Sequence, residues 1–171
     1  MFNHVIVIPA RLSSKRLPNK PLLKIDDIPM IIRTCRQCNK AVHKSIIFVV
    51  TDSTKIYTLV KKNGFNVMMT SKKCKTGTDR IAEFAKKVKS HLYINIQGDE
   101  PIIDPKDIKN FINFAKKNKD SPTIGYSKIK NQSEIKSITI PKIVKDEKNS
   151  LIYISRSPIP AHKNNKKNIN Y

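Results

Sequence analysis

The chain has 171 residues, 39% of them hydrophobic, and a formal net charge of +21 from 34 Lys and Arg against 13 Asp and Glu. That length suits one domain with a real hydrophobic core, and no apolar stretch approaches the roughly 20 residues that a membrane helix requires, which argues against a membrane-spanning protein. The charge alone does not point to a nucleic-acid partner: Lys supplies 28 of the cations, and Lys, Ile and Asn together make up 69 residues, a bias that AT-rich coding produces without selection. Arg, the usual bidentate reader of bases and phosphates, is scarce.

The N-terminus runs straight into "HVIVIPAR" without a signal-peptide pattern, and three cysteines cannot pair completely, so the expected compartment is the cytoplasm. Taken in chain order, β-branched apolar runs predict strands over residues 4–9, 45–51, 65–70, 92–98, 123–127, 140–146 and 151–157. Amphipathic stretches predict helices over 29–41, 54–63, 79–89 and 105–119. The first of these opens with Pro29; the last has Asp104 as N-cap and Pro105 at its first position. Up to about residue 120, strands and helices alternate, and "VIVI" and "IIFVV" are continuously apolar, as strands buried on both faces must be. An α/β fold follows, with a mostly parallel sheet and helices on both faces. Beyond residue 120 the strands come without long helices between them, which predicts an antiparallel appendage or a second layer, and residues 161–171 form a polar tail.

In an open α/β sheet, ligands bind beyond the carboxyl ends of the strands. After the first strand, "ARLSSKRLPNK" sets Arg11, Lys15, Arg16 and Lys20 within ten residues, with Ser13 and Ser14 as further hydrogen-bond donors. Charge-assisted bonds to phosphate need such a cluster, although the loop is neither a Walker A loop nor a dinucleotide fingerprint. "INIQGDEP" puts Asp99 and Glu100 just past another strand, with Gly98 to let the backbone turn; Asp99 is the better placed to hold Mg²⁺, which takes one or two carboxylates plus phosphate oxygens. In "KTGTDRIAEF", Thr78 or Asp79 can cap a helix, while Gly77 can let a nucleobase lie against the backbone near Arg80. Cys35 and Cys38 have C-x-x-C spacing, but they sit inside a helix and no second pair exists, so they read as small buried side chains. His4, His43, His91 and His162 show no ligand spacing and receive no role.

Together "VIVIPARLSSKRLPNKPL", "VVTDSTKI", "VMMTSKKCKTGTDRIAEF", "INIQGDEPII" and "LIYISRSPIP" resemble, in order and spacing, the 3-deoxy-manno-octulosonate (Kdo) cytidylyltransferases, from residue 4 to about 160. The sialic-acid cytidylyltransferases are also similar, but they have glycine in the first loop. The resemblance implies a Rossmann-like nucleotidyltransferase domain over residues 1–160. Its reaction is attack of the Kdo anomeric hydroxyl on the α-phosphate of CTP, with Mg²⁺ present, giving CMP-Kdo and pyrophosphate for lipopolysaccharide synthesis. Carried over by motif, Arg11, Ser14 and Lys20 match the nucleotide loop, Gly77 and Arg80 the cytosine region, Gln97 and Asp99 the sugar and metal region, and Arg156 the loop facing the sugar. Lys20 and Asp99 are the expected catalytic pair, and CTP and Kdo are the expected partners, with no nucleic acid or membrane.

Two departures accompany the resemblance. Asp26 and Asp27 stand where the family usually has glycine, which calls for a different turn. Family members also continue with a segment that supplies a second metal carboxylate, further sugar contacts and much of a homodimer interface. This sequence stops about where that segment begins, so the expectation is a chain lacking it, which binds CTP weakly and turns over Kdo poorly or not at all. Other readings are a cytidylyltransferase for another acidic sugar, an inactive remnant, and a basic nucleic-acid-binding module.

Overall fold

The computed structural model describes residues 1–12 and 17–159. The chain divides into two units, Met1–Thr123 and Ile124–Tyr171.

The first unit is built on β1 (Phe2–Ala10), whose Val5, Ile6, Val7 and Ile8 are fully buried. A hairpin of β2 (Lys24–Ile25) and β3 (Ile28–Pro29) leads into α1 (Met30–Ala41). Then come β4 (Ile47–Thr51), α2 (Thr54–Lys62), β5 (Asn66–Met69), α3 (Gly77–Lys87), β6 (Ser90–Asn95) and α4 (Pro105–Lys117). The four long strands form one parallel sheet in the order β5-β4-β1-β6, with Ile8 opposite Val49 and Ile6 opposite Ile94.

Handedness then decides where each helix lies. The steps β1 to β4 and β4 to β5 move across the sheet in one direction, whereas β5 to β6 returns past two strands. Right-handed crossovers therefore put α1 and α2 on one face and α3 on the other. The core agrees, with the alternation expected of a strand. Ile6 and Ile8 pack with Ile31, Cys35, Ile56, Val60, Ile108 and Ile112 from α1, α2 and α4. Val5 and Val7 pack with Val50 and with Phe84 of α3. On that second face Phe2, Phe48, Phe84 and Tyr93 form a chain of ring contacts with centroids 5.9, 5.0 and 6.3 Å apart.

The expected α/β architecture is what forms, with boundaries moved by a few residues. Pro29 ends β3 and stands just before α1 instead of opening it, α3 begins two residues early at Gly77, and residues 44–46 form a short 3-10 turn. Asp104 does cap α4, its Oδ1 accepting from the Lys106 amide at 2.8 Å. Asp26 and Asp27 form the two-residue hairpin turn with φ of 43° and 63°, the left-handed pair that a type I′ turn demands. Their cost is offset by Arg33, which donates from Nη2 to Asp26 Oδ2 at 2.8 Å and from Nε to the Ile25 carbonyl at 2.7 Å.

The second unit contains α5 (Gln132–Lys136), capped by Asn131, and an antiparallel hairpin of β7 (Lys142–Lys145) and β8 (Leu151–Ser155). The strand expected over 123–127 does not form. Ile124 and Tyr126 are 45% and 59% exposed, and an apolar run without a neighbouring ladder to satisfy its backbone stays irregular.

Candidate functional site

In the order β5-β4-β1-β6 the chain leaves β1 in one direction and reaches β6 from the other, so a crevice opens between the carboxyl ends of these two strands. The segments that follow them, beginning at Arg11 and at Ile96, border it. Lys20 enters on a single 3-10 turn, Lys20–Leu22, preceded by Asn19 in the left-handed region. Buried Pro21 anchors that turn, and the Met30 amide donates to the Leu23 carbonyl at 2.8 Å to fix its exit. The Lys20 ammonium meets Asp99 Oδ2 at 2.5 Å.

Asp99 is held by the close seating of Gly98 on β1. A Cβ at Gly98 would come within 3.0 Å of the Pro9 carbonyl oxygen and 3.2 Å of Ile31 Cδ1, so any other residue would lift the turn. Thr34, inside α1, donates its hydroxyl to the Gly98 carbonyl at 3.2 Å. Gln97 Nε2 donates to Asn95 Oδ1 at 2.9 Å.

The opposite wall is the start of α3. Thr76 is its N-cap and forms a capping box with Asp79, so the cap is neither Thr78 nor Asp79 alone. Gly77 lies so near the floor that a Cβ would stand 3.1 Å from Pro9 Cγ and 3.6 Å from Gln97 Oε1. Arg11 Nη1 donates to the Lys75 carbonyl at 3.3 Å across the opening. Side chains of α3 hold the approach to this wall. Glu83 accepts from the Ser71 amide at 3.0 and 3.2 Å and from the Cys74 thiol at 3.3 Å. Asp79 accepts from the Thr76 and Lys75 amides at 2.8 and 3.0 Å. These amide bonds keep both carboxyls below their ordinary pKa. Desolvation and then Glu83 push the Cys74 thiol up, away from a reactive thiolate.

The cleft, open on one side, measures about 410 Å³. Pro9 lies close to Gly77, Lys20 pairs with Asp99, Arg11 reaches Lys75, and Ala10, Arg80 and Gln97 also line it. Such a volume falls within the usual range for small-molecule sites. Arg11, Lys20, Lys75 and Arg80 against the single carboxylate of Asp99 make its lining suited to a polyanion.

Six of the residues singled out from sequence, Arg11, Lys20, Gly77, Arg80, Gln97 and Asp99, thus border one cleft. Ser14 and the tail 161–171 lie outside the described residues. Arg156 belongs to the second unit, where its Nη1 donates to the Ile138 and Thr139 carbonyls at 3.2 and 3.1 Å. Sequence reasoning missed Met30 and Lys75 on the lining, and it missed the partners of Arg80: Asp52 and Thr70 bind that guanidinium. Only the position of Asp52 at the end of a strand hinted at this. Cys35 and Cys38 are buried as expected; burial pushes the Cys38 thiol up to about 12 and the Cys35 thiol higher still.

This strand order, with a cleft at its reversal, defines a Rossmann-like α/β protein with a ligand site beyond the carboxyl ends of its strands. A family model described as cytidylyltransferase matches residues 5–171, and the chain belongs to that family. It is 40% identical over 161 residues to the 3-deoxy-manno-octulosonate cytidylyltransferase of Chlorobium limicola, covering 92% of this chain and 65% of the relative. It is 35% identical over 167 residues to the Escherichia coli protein of the same name, covering 98% and 68%. Among solved structures it is similar to a CMP:2-keto-3-deoxy-manno-octonic acid synthetase complexed with CTP, with a TM-score of 0.82, 34% identity, and coverage of 94% of this chain and 67% of that one. The chain spans about two thirds of the length of the curated relatives it matches.

Proposed function

We propose that the cleft binds CTP and that the protein transfers its CMP group to the anomeric hydroxyl of Kdo, releasing pyrophosphate. The observation that carries this reading is the convergence of Arg11, Lys20, Gly77 and Asp99 on one cavity of about 410 Å³ at the sheet reversal. The relatives' names and the CTP complex of the similar structure support the choice of nucleotide and sugar. The hydroxyl oxygen forms a bond to the α-phosphorus as the bond to pyrophosphate breaks, and the hydroxyl proton passes to solvent. Arg11 and Lys20 bind and neutralise the phosphates, Gly77 lets the base lie against the backbone, and Gln97 orients the sugar end. Ser14 and Arg156 are assigned to the phosphates and the sugar by motif. Chemistry of this kind depends mainly on positioning and on neutralising charge.

The donor set fits Mg²⁺ carried on a nucleotide. Among the described residues Asp99 is the one carboxylate on the cleft lining, and no group of three or more His, Cys, Asp or Glu stands ready to hold an ion alone. Asp99 would hold the ion, which supplies charge neutralisation at the phosphates when bound. Lys20 then gives up Asp99 and turns to phosphate. Both side chains are partly exposed, at 37% and 46%, so this exchange costs little. Among the described residues no helix is long and apolar enough to cross a membrane, and we assign the reaction to the cytoplasm and to lipopolysaccharide synthesis.

Pyrophosphate release from CTP and Kdo with Mg²⁺ tests the reading. Release that requires both substrates supports it. Release with another acidic sugar and none with Kdo reassigns the acceptor, and no release with any acidic sugar together with no preference for CTP in binding overturns the transferase reading.

A further inference from the structure

Arg80 carries a buried charge beside the cleft, and what holds it lies outside the cleft. Its side chain is 3% exposed and that of Asp52 19%. Nη2 donates to Asp52 Oδ2 at 2.5 Å, while Nη1 donates to Thr70 Oγ1 at 2.7 Å and to the Ser71 carbonyl at 3.3 Å. These partners come from separate elements. Asp52 follows the last residue of β4, Thr70 follows β5 with its amide on the Thr51 carbonyl at 2.8 Å, and Arg80 stands near the start of α3. One guanidinium therefore ties the carboxyl ends of two parallel strands to the helix that begins at the cleft wall.

A guanidinium stays charged at any working pH, so it must keep its partners or move to water. Arg80 borders the cleft, whereas Asp52 and Thr70 do not. Weakening those two partners turns the side chain toward the opening and releases the wall it steadies. Gly77 is seated against Pro9: a Cβ there would stand 3.1 Å from Pro9 Cγ and 3.6 Å from Gln97 Oε1. A shift of α3 therefore changes the surface beside which a base would lie. Lys20 and Asp99 hang on the segments after β1 and β6, and among the described residues neither hydrogen-bonds to Arg80, Asp52 or Thr70.

We propose that Asp52 and Thr70 are positioning residues for base selection: by fixing Arg80 they keep the Gly77 wall close to Pro9, so that the cleft takes a pyrimidine and rejects a purine. The inference rests on the reading of the cleft as a CTP site. It assigns a role in specificity to two residues that touch no substrate.

The test is calorimetric titration of the protein with CTP, ATP and pyrophosphate, comparing wild type with Asp52→Asn, Thr70→Val and Thr70→Ser, each well below its melting temperature. Asp52→Asn is expected to narrow the preference for CTP over ATP by about tenfold, the scale of one charge-assisted hydrogen bond, with pyrophosphate affinity equal to or above that of wild type because Arg80 loses its counter-charge. Thr70→Val narrows it less, and Thr70→Ser, which keeps the hydroxyl, retains the wild-type ratio. Should Asp52→Asn fail to fold, the two Thr70 variants decide between the outcomes. An unchanged ratio in both Asp52→Asn and Thr70→Val, or a loss of pyrophosphate affinity as large as the loss for CTP, overturns the inference while leaving the CTP site intact. A wild-type protein that does not prefer CTP overturns the CTP reading and this inference together.

Discussion

The Lys20 ammonium and the Asp99 carboxylate, 79 residues apart in sequence, meet at 2.5 Å across the reversal of the sheet. The pair closes the cleft between the segments that follow β1 and β6. Its two groups are those that a magnesium nucleotide requires, one for phosphate and one for the cation. As a partly exposed ion pair it is worth about 0–1 kcal/mol, so a ligand can separate it.

Asp99→Asn separates the two tasks. Freed from its partner, Lys20 should bind CTP in EDTA at least as tightly as in wild type, with a gain of up to about fivefold set by the weakness of the pair. Pyrophosphate release with Mg²⁺ should fall on the order of a hundredfold, as expected when reacting groups lose their placement. Titration in EDTA together with a turnover assay checks this. Weaker CTP binding in EDTA would contradict the exchange.

Gly98→Ala should unfold at a lower temperature, because its Cβ would stand 3.0 Å from the Pro9 carbonyl oxygen on the central strand. Overpacking of this kind costs about 1–3 kcal/mol. Gly125→Ala is the control, since nothing lies within 4 Å of a Cβ there. Thermal melting should show a clear drop for the first variant and none for the second.

Acid should remove the stability that the carboxyls on α3 contribute. Amide hydrogen bonds lower the pKa of both Asp79 and Glu83 in the folded protein. A carboxyl lowered by folding binds more protons when unfolded, so its contribution is complete above the unfolded pKa and disappears as pH falls through the folded one. Urea unfolding should therefore show wild type exceeding Glu83→Gln most at neutral pH, with the gap shrinking below about pH 4.5. A gap that grows on acidification would contradict the assignment. His4 adds an independent loss at milder pH: burial and then Lys116 lower its pKa, so protonation favours the unfolded chain as pH falls below about 6.5.

The layout of the sheet was legible because strands covered on both faces must be continuously apolar, as Val5–Ile8 and Val49–Val50 are. The cleft followed from it, since Lys20 and Asp99 stand just beyond strand ends that topology brings side by side. What escaped has no periodic signature. The Asp52–Arg80 pair joins residues 28 apart through folding alone. The five-residue α5 is shorter than the window in which a helical period shows. Residues 123–127 have the composition of a strand, but a strand also needs a partner, which composition does not reveal.

Equilibrium titration with CTP, UTP, ATP and GTP tests the central claim most directly, performed on wild type, Lys20→Ala and Lys117→Ala. CTP should bind more tightly than ATP or GTP. Lys20→Ala should lose about 1.5–3 kcal/mol of that affinity, the value of a charge-assisted contact. Lys117→Ala, an exposed change on α4, should match wild type because distant surface charge is screened. Equal affinity for all four nucleotides, with the same small loss in both lysine variants, would contradict the account and leave only a general polyanion-binding surface.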